Sequence, residues 1–440
     1  MANKIKVICL VFIGKIFSRL SRLFNLGNGS TWPGQIALLI FPEILTYYES
    51  HIKKGIILVA GTNGKTTTSQ MLSTVLNNSH FCVIHNSSGA NLLNGIISCL
   101  LINSDFHGRL LADYAIFEVD EATLPQILHY LTHKNLSIIL LNLFRDQLDR
   151  YGEVDNIARK WTEAIRNIPK EAKLIINADD PQTAHIGIHA ARLVYYFGLE
   201  DKNLYLKSKE HAADSIYCPN CGEKLIYHGV YYSHLGVWEC AGCKETRPKT
   251  HLNNWPQPIT GLYNLYNTLA SVLTLQILKL SDFEINTGFK KFHPAFGRQE
   301  VFEIDGKRII ILLTKNPVGM NVAIRSIIQE LKLTSGNKGG YFLLALNDLT
   351  PDGRDVSWIW DVDLEELVKN SIMLICSGIR SYDLGVCIKY AGCKNFIVET
   401  NLLNAIKKGL HSISPGESLY ILPTYSAMLE VRKILTGKKI

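Results

Sequence analysis

The 440-residue chain is 47% hydrophobic and 19% charged, with a formal net charge of +7. That balance is ordinary for a soluble globular protein of about two or three domains. The modest positive charge suits anionic small molecules or an anionic membrane surface and is weak evidence for nucleic acid, and ten cysteines are too few for a disulfide scaffold of this length.

Residues Met1 to Pro42 contain no acidic side chain. Ile13, Ile16, Phe17, Leu20, Leu23 and Phe24 share one helical face, with Lys15, Arg19 and Arg22 mostly off it. This start is either a membrane-surface helix or a helix packed on the protein. The apolar run Val7 to Ile13 is too short to span a bilayer. Basic residues continue after it and no small-residue cleavage site follows, which argues against a secretory leader.

Ile56-Ile57-Leu58-Val59 is expected to be a short buried strand. Gly61-Thr62-Asn63-Gly64-Lys65-Thr66-Thr67 follows it, and Ser69 to Leu76 has helical spacing. Strand, glycine loop and helix make an anion cradle. Glycines let backbone N–H groups turn toward phosphate, and the helix N-terminus adds its positive end. Lys65 is expected to reach the β- and γ-phosphates and Thr66 to place its hydroxyl on Mg²⁺. The pattern departs from the usual loop at Val59, where a glycine is normal; here the glycine stands at Gly61.

His85 to Asn91 is a polar, turn-rich loop. Asp113 to Glu121 is a strand running into carboxylates, in which Glu118 and Asp120 point the same way. Glu118 is the candidate to complete a Mg²⁺ shell begun by Thr66 and phosphate oxygens. Leu136 to Asn142 and Lys173 to Pro181 repeat the scheme of apolar strand and polar end. Such strands, separated by helical patterns, indicate a mostly parallel α/β sheet with its ligand at the carboxyl ends.

The character changes between about Ser215 and Lys249, which form an inserted β-rich module. Cys218 and Cys221, then Cys240 and Cys243, give two C-x2-C knuckles with eighteen residues between them. Four thiolates close a tetrahedral, structural Zn²⁺ shell. The module's aromatic residues, such as Tyr231 and Trp238, lack an accompanying basic run, so they are assigned to packing and no nucleic-acid partner is expected.

A helix resumes over Leu262 to Leu278, where Asn264 and Asn267 share a face suited to an adenine edge. A boundary falls near Phe296 to Glu300. Beyond it, 308–313, 340–346, 372–377, 395–398 and 419–422 are expected strands of a second, Rossmann-like α/β domain. Arg298 at that junction and Lys315 just after a strand are candidates for phosphate contact. Asp348, Asp352 and Asp355 crowd one loop. The domain expectation is a helical segment 1–50, an ATP-binding domain 51–298 with its insert at 215–249, and a C-terminal domain 299–440.

Together these residues resemble the Mur ligases, ATP-dependent amide-bond formers of cell-wall synthesis. The carrying motifs are Gly61 to Thr67, Asn177-Ala178-Asp179-Asp180, Gly261 to Asn267 and Gly297-Arg298. More narrowly, the whole length resembles the branch of that family that acts as the ligase subunit of a lipid II amidating enzyme. Pro33 to Ala37, the four-cysteine insert, Lys315 to Asn321 and Asp352 to Trp358 carry the narrower likeness. The resemblance implies ATP and Mg²⁺ at the Lys65 loop, Glu118 as metal ligand, Asn264 and Asn267 facing adenine, and Arg298 and Lys315 near the phosphates. It also implies that Asp355 is offered to a separate glutaminase, GatD-like, to complete that partner's Cys-His site in a heterodimer.

Two family features differ. A metal-binding histidine expected after Asp146 is Gln147, and Lys160 is the nearest candidate for a carbamylated lysine. About fifty residues precede the phosphate loop, too few for the nucleotide-sugar domain of most relatives, so a lipid-linked substrate at the inner membrane face fits better. The implied reaction is amidation of the α-carboxylate of D-glutamate in the lipid II stem peptide through an acyl phosphate. The alternatives are a free-standing amino-acid ligase of Mur or folylpolyglutamate type, a zinc-ribbon ATPase on nucleic acid, and a scaffold that binds ATP without turnover.

Overall fold

The computed structural model describes residues 2–23, 31–87, 89–145, 154–206, 214–293, 298–335 and 339–437. The chain divides into two compact units, one of residues 1–144, 153–205 and 215–293, the other of 145–152, 206–214 and 294–440.

In the first unit, strands β1 (Ile52–Ala60), β2 (Val83–His85), β3 (Ala112–Val119), β4 (Leu136–Leu140), β5 (Lys173–Asn177) and β6 (Leu193–Phe197) form one sheet in the order β2-β3-β1-β4-β5-β6. Every neighbouring pair is parallel. Every residue of β4 is buried, as expected of a strand covered on both faces. The strands run the same way, so the ends of β1, β3 and β4 bring the phosphate loop, Glu118 and Asn142 to one edge. Sequence reasoning anticipated β1, β3, β4 and β5; β2 and β6 are short or half-exposed and lacked a clear apolar signal.

The helix Ala2–Leu23 packs on this unit beside the helices Trp32–Ile40 and Leu93–Asn103. Its buried face is Val7, Leu10, Val11, Gly14 and Ser18. The expected apolar face is therefore not the inward one: Ile16 and Phe17 are exposed, as are Ile5 and Phe12. Small Gly14 and Ser18 let the helix lie close to its neighbours, and the bulkier stripe is turned outward. Among the described residues no helix is long and apolar enough to cross a membrane.

The insert is a hairpin of β7 (Leu225–Tyr232) and β8 (Leu235–Cys240). Its core joins Cys218, Leu225, Trp238 and Cys240 to Ala184 on the helix Pro181–Ile188. Trp238 Nε1 donates to Ala178 O at 3.1 Å, and Gly236 N donates to Asp179 O at 2.9 Å. The hairpin is thus anchored on the turn after β5.

The second unit holds β9 (Arg298–Ile304), β10 (Lys307–Leu312), β11 (Gly340–Ala345), β12 (Ser371–Ser377), β13 (Ile397–Val398) and β14 (Ser418–Pro423), in the order β13-β12-β11-β14-β10-β9. All pairs are parallel except β9 with β10. Strand β9, at the sheet edge, lacked a sequence signal because its residues mix charged and apolar side chains without an unbroken apolar run. Two buried clusters cover the sheet's faces, one around Phe342 and Tyr420 and one around Leu343 and Ile421. Both units are α/β, as the sequence indicated.

Candidate active site

Gly61 and Gly64 adopt φ of +141° and +94°, backbone that side chains rarely tolerate. A Cβ on Gly64 would lie 2.1 Å from Asn267 Oδ1. The helix Lys65–Asn78 starts at this turn, so its first N–H groups open toward the sheet edge. Asn142, at the end of β4, clamps the loop from behind: its Oδ1 accepts from Asn63 N at 2.8 Å and its Nδ2 donates to Asn63 O at 3.0 Å. Thr62 Oγ1 accepts from Phe144 N at 3.0 Å. The loop is therefore held open by protein hydrogen bonds.

Lys65 is buried and folds back over the loop, donating to Gly61 O at 2.6 Å and to Glu121 Oε1 at 3.1 Å. Thr66 Oγ1 donates to Glu118 Oε2 at 2.9 Å. Those two oxygens are spaced like adjacent corners of an octahedron with bonds of about 2.1 Å, whose edges are about 3.0 Å. The donor set is hard oxygen, so it fits Mg²⁺. Asn86 fixes Glu118 from both sides, its Oδ1 accepting from Glu118 N and its Nδ2 donating to Glu118 O, each at 2.9 Å. Trp161 Nε1 donates to Glu121 O at 2.8 Å. Asp120 is buried beside them and its Oδ1 accepts from Ala122 N at 3.1 Å.

Asn264 and Asn267 are buried on the helix Leu262–Ile277, with Asn267 directly behind Gly64. Asn264 Nδ2 donates to Thr260 O at 2.7 Å, and Asn267 Oδ1 accepts from Thr68 Oγ1 at 3.4 Å. They are not solvated helix polars. The Asp179-Asp180 pair is also buried, but structurally engaged. Asp179 accepts from Arg247 Nε and Tyr266 OH, each at 2.6 Å, and Asp180 accepts from Leu143 N at 2.7 Å. Full burial pushes the Asp179 carboxyl above its ordinary pKa, against the opposing pull of Arg247.

The four insert thiols converge. Cys218 Sγ lies 3.5 Å from Cys243 Sγ, and Cys221 Sγ lies 3.4 Å from Cys240 Sγ. Four thiolates on a zinc ion at about 2.3 Å stand about 3.8 Å apart. These two separations fall within about 0.4 Å of that spacing, and all four sulfurs lie within 4.8 Å of one another.

In the second unit, the three aspartates of one loop have separate surroundings. Asp352 is buried and its Oδ1 accepts from Ser426 N at 2.7 Å. Asp348 pairs with Arg380 at 3.0 Å. Asp355 is exposed, with Ser357 N donating to its Oδ1 at 2.8 Å, and that hydrogen bond holds its carboxyl below the usual range. It lines a cleft of about 500 Å³ together with Ser357, Trp360, Arg380, Tyr382 and Val386. Trp360 and Tyr382 are exposed there. Arg298 begins β9, and its side chain lies outside the described residues, as does Gln147. Lys315 follows β10, half-buried, and Lys160 is exposed on the helix Val154–Ile165.

A family model described as the Mur ligase middle domain matches residues 59–275. A second, described as MurT ligase C-terminal, matches residues 313–428. The chain is 33% identical over 416 residues to "Lipid II isoglutaminyl synthase (glutamine-hydrolyzing) subunit MurT" of Staphylococcus aureus (strain COL), covering 90% of this chain and 91% of that protein. This chain belongs to the MurT family. The MurT protein of the same name from Streptococcus pneumoniae (strain ATCC BAA-255 / R6) is 33% identical over 440 residues, 95% of each chain. Among solved structures, a pseudomurein peptide ligase type C from Methanothermus fervidus shares the fold, with a TM-score of 0.66 at 22% identity over 90% of this chain and 80% of that one. MurT membership makes this chain a Mur-type ligase, of a family that uses ATP and Mg²⁺.

Sequence reasoning missed Glu121 and Asn142 in this MurT chain. Glu121 stood in the quoted carboxylate run, three residues after Glu118, and Asn142 at a strand's end. Neither position signals contact with a loop 56 or 79 residues away.

Proposed function

We propose that this chain is the ligase subunit of a glutamine-dependent enzyme that amidates the α-carboxylate of D-glutamate in the stem peptide of lipid II. The observation that carries this is the set of buried Lys65, Glu118 and Glu121 with half-buried Thr66 around one glycine loop. It is a nucleotide-phosphate site, and the relatives' name supplies the substrate class. Gly61 to Thr67 bind the ATP phosphates through backbone N–H groups, and Lys65 neutralises charge on the terminal phosphate. Thr66 and Glu118 hold Mg²⁺, which supplies charge neutralisation along the phosphates. Asn264 and Asn267 position the loop and face the adenine side. Arg298 and Lys315 are assigned, by resemblance, to phosphate contact.

The substrate carboxylate oxygen attacks the γ-phosphorus and the bond to the bridging oxygen breaks, so ADP leaves and an acyl phosphate forms. Ammonia then attacks the acyl carbon, phosphate departs with the C–O electron pair, and a proton is lost to give the amide. Positioning and charge neutralisation carry both steps, and no side-chain nucleophile is needed. The ammonia comes from a GatD-like glutaminase in a heterodimer. Exposed Asp355 beside Trp360 and Tyr382 supports this surface as the docking face, with the aspartate reaching the partner's Cys-His pair. Cys218, Cys221, Cys240 and Cys243 hold one structural Zn²⁺.

The protein works at the cytoplasmic membrane face. The outward stripe of Phe12, Ile16 and Phe17 with Lys15 and Arg19 supports contact with anionic lipid. Vesicles rich in phosphatidylglycerol should sediment the protein, and Phe12→Ser with Phe17→Ser should leave it in the supernatant.

The decisive experiment is co-expression with candidate glutaminases followed by mass spectrometry of lipid II. The expected result is a loss of about one dalton per stem peptide, the amidation of one carboxylate, dependent on ATP and glutamine. A stable complex that leaves the mass unchanged overturns the proposal.

A further inference from the structure

His185 and His189 stand four residues apart at the C-terminal end of the helix Pro181–Ile188, so both rings leave the same face. Their ring centroids are 4.4 Å apart. Glu245, two residues beyond the last cysteine of the insert, reaches both. Its carboxylate oxygens lie 3.2 Å from His185 Nδ1, and Oε1 lies 2.5 Å from His189 Nε2. All three donor atoms fall within 4.8 Å of one another.

The glutamate is placed by the cysteine knuckle itself: Cys240 N donates to Glu245 O at 2.8 Å. Its side chain is only 9% exposed, against 20% for His185 and 41% for His189. Two imidazoles thus face one sheltered carboxylate. A metal ion satisfies all three groups with the imidazoles neutral. Three N/O ligands at about 2.0–2.1 Å on a tetrahedral ion stand about 3.3 Å apart; His185 already has that separation from Glu245, and the 2.5 Å contact of exposed His189 opens by about 0.8 Å to admit the ion.

We infer that His185, His189 and Glu245 form a second metal site, separate from the four-cysteine cluster, for a borderline divalent transition ion of the Zn²⁺ class. Two imidazoles and one carboxylate disfavour Mg²⁺ and Ca²⁺ and favour zinc and its neighbours. Three protein ligands leave the fourth position to water, and the exposure of His189 opens that position to solvent. The ion ties the cysteine knuckle to the helix carrying Ala184, so it fastens the insert to the ATP-binding unit from a second side.

The test is metal counting on tag-free, full-length protein dialysed against low-micromolar Zn²⁺. Wild type should retain one equivalent more than either His189→Asn or Glu245→Gln. His189 is surface-exposed, so its variant tests the site without disturbing a buried contact. This count rests in part on the four-cysteine zinc proposed above, and Co²⁺ substitution separates the two. The thiolate-to-cobalt absorption reports the cysteine site alone and should be equal in all three proteins. Loss of one equivalent with that absorption unchanged supports the second site, whatever the cysteine count. Equal metal content in wild type and both variants overturns it.

Discussion

Lys65 and Glu121 form an ion pair of 3.1 Å with 8% and 6% of their side chains exposed. A buried cation needs a counter-charge, and the ATP phosphates offer a competing one. The glutamate therefore sets how readily the lysine reaches nucleotide. Glu121→Gln should lower unfolding stability by about 3 kcal/mol in urea titrations. Mg·ATP should then raise the melting temperature of the variant more than that of wild type. Equal shifts would disconnect Glu121 from nucleotide binding.

The Thr66–Glu118 pair gives a second expectation. Glu118→Gln keeps an oxygen near Thr66 but removes the charge that a Mg²⁺ site needs. The Mg²⁺ concentration for half-maximal ATP turnover should rise at least about tenfold, with the circular dichroism spectrum unchanged. Turnover with an unaltered Mg²⁺ dependence would remove Glu118 from the metal site.

At Gly64, φ of +94° and the 2.1 Å approach to Asn267 act together. Gly64→Ala should cost about 1–3 kcal/mol of stability and abolish ATP binding. Adding Asn267→Ala should recover part of the stability, since it relieves the clash and leaves the backbone strain. Calorimetric unfolding of both variants separates the two contributions.

Asp355 makes a prediction that divides the two half-reactions. In complex with the proposed glutaminase, Asp355→Asn should stop amidation driven by glutamine. Ammonium salts should still drive it, because the glycine loop, Glu118 and Glu121 are in the other unit. Loss of both activities would place Asp355 in the ligase chemistry or the fold.

His85 is half-buried, its Nε2 is shielded and has no hydrogen-bond partner among the described residues, and desolvation lowers its pKa from 6.5 to about 4. Between those values the unfolded chain binds a proton that the fold refuses. Stability therefore falls as pH drops from 6.5 toward 4, by up to about 3 kcal/mol from this group. Urea midpoints across that range should show the decline, and His85→Gln should flatten it.

The glycine loop, the buried parallel strands and the paired cysteines were legible because each is a local pattern. A phosphate loop needs its glycines adjacent, a covered strand needs an unbroken apolar run, and a metal knuckle needs two thiols three apart. The inward face of the first helix was not legible. Gly14 and Ser18 pack there because they are small, and hydropathy ranks Ile16 and Phe17 above them. Glu121, Asn142 and Glu245 were missed for another reason: their partners are brought close only by the sheet order or by the insert's anchoring. Asp179 was noticed as part of a motif, yet its engagement by Arg247 and Tyr266, 68 and 87 residues on, is a tertiary fact.

The hairpin's grip on that aspartate limits how this molecule can be shortened. Cutting out residues 215–249 to obtain a minimal ligase would take away Arg247, 2.6 Å from Asp179, and His234, 3.5 Å from Asp180, stripping two adjacent carboxylates of these neighbours. Asp180 also secures Leu143, next to the asparagine that braces the nucleotide loop. A protein engineer would have to replace both acids with neutral side chains before such a deletion could leave a working catalyst.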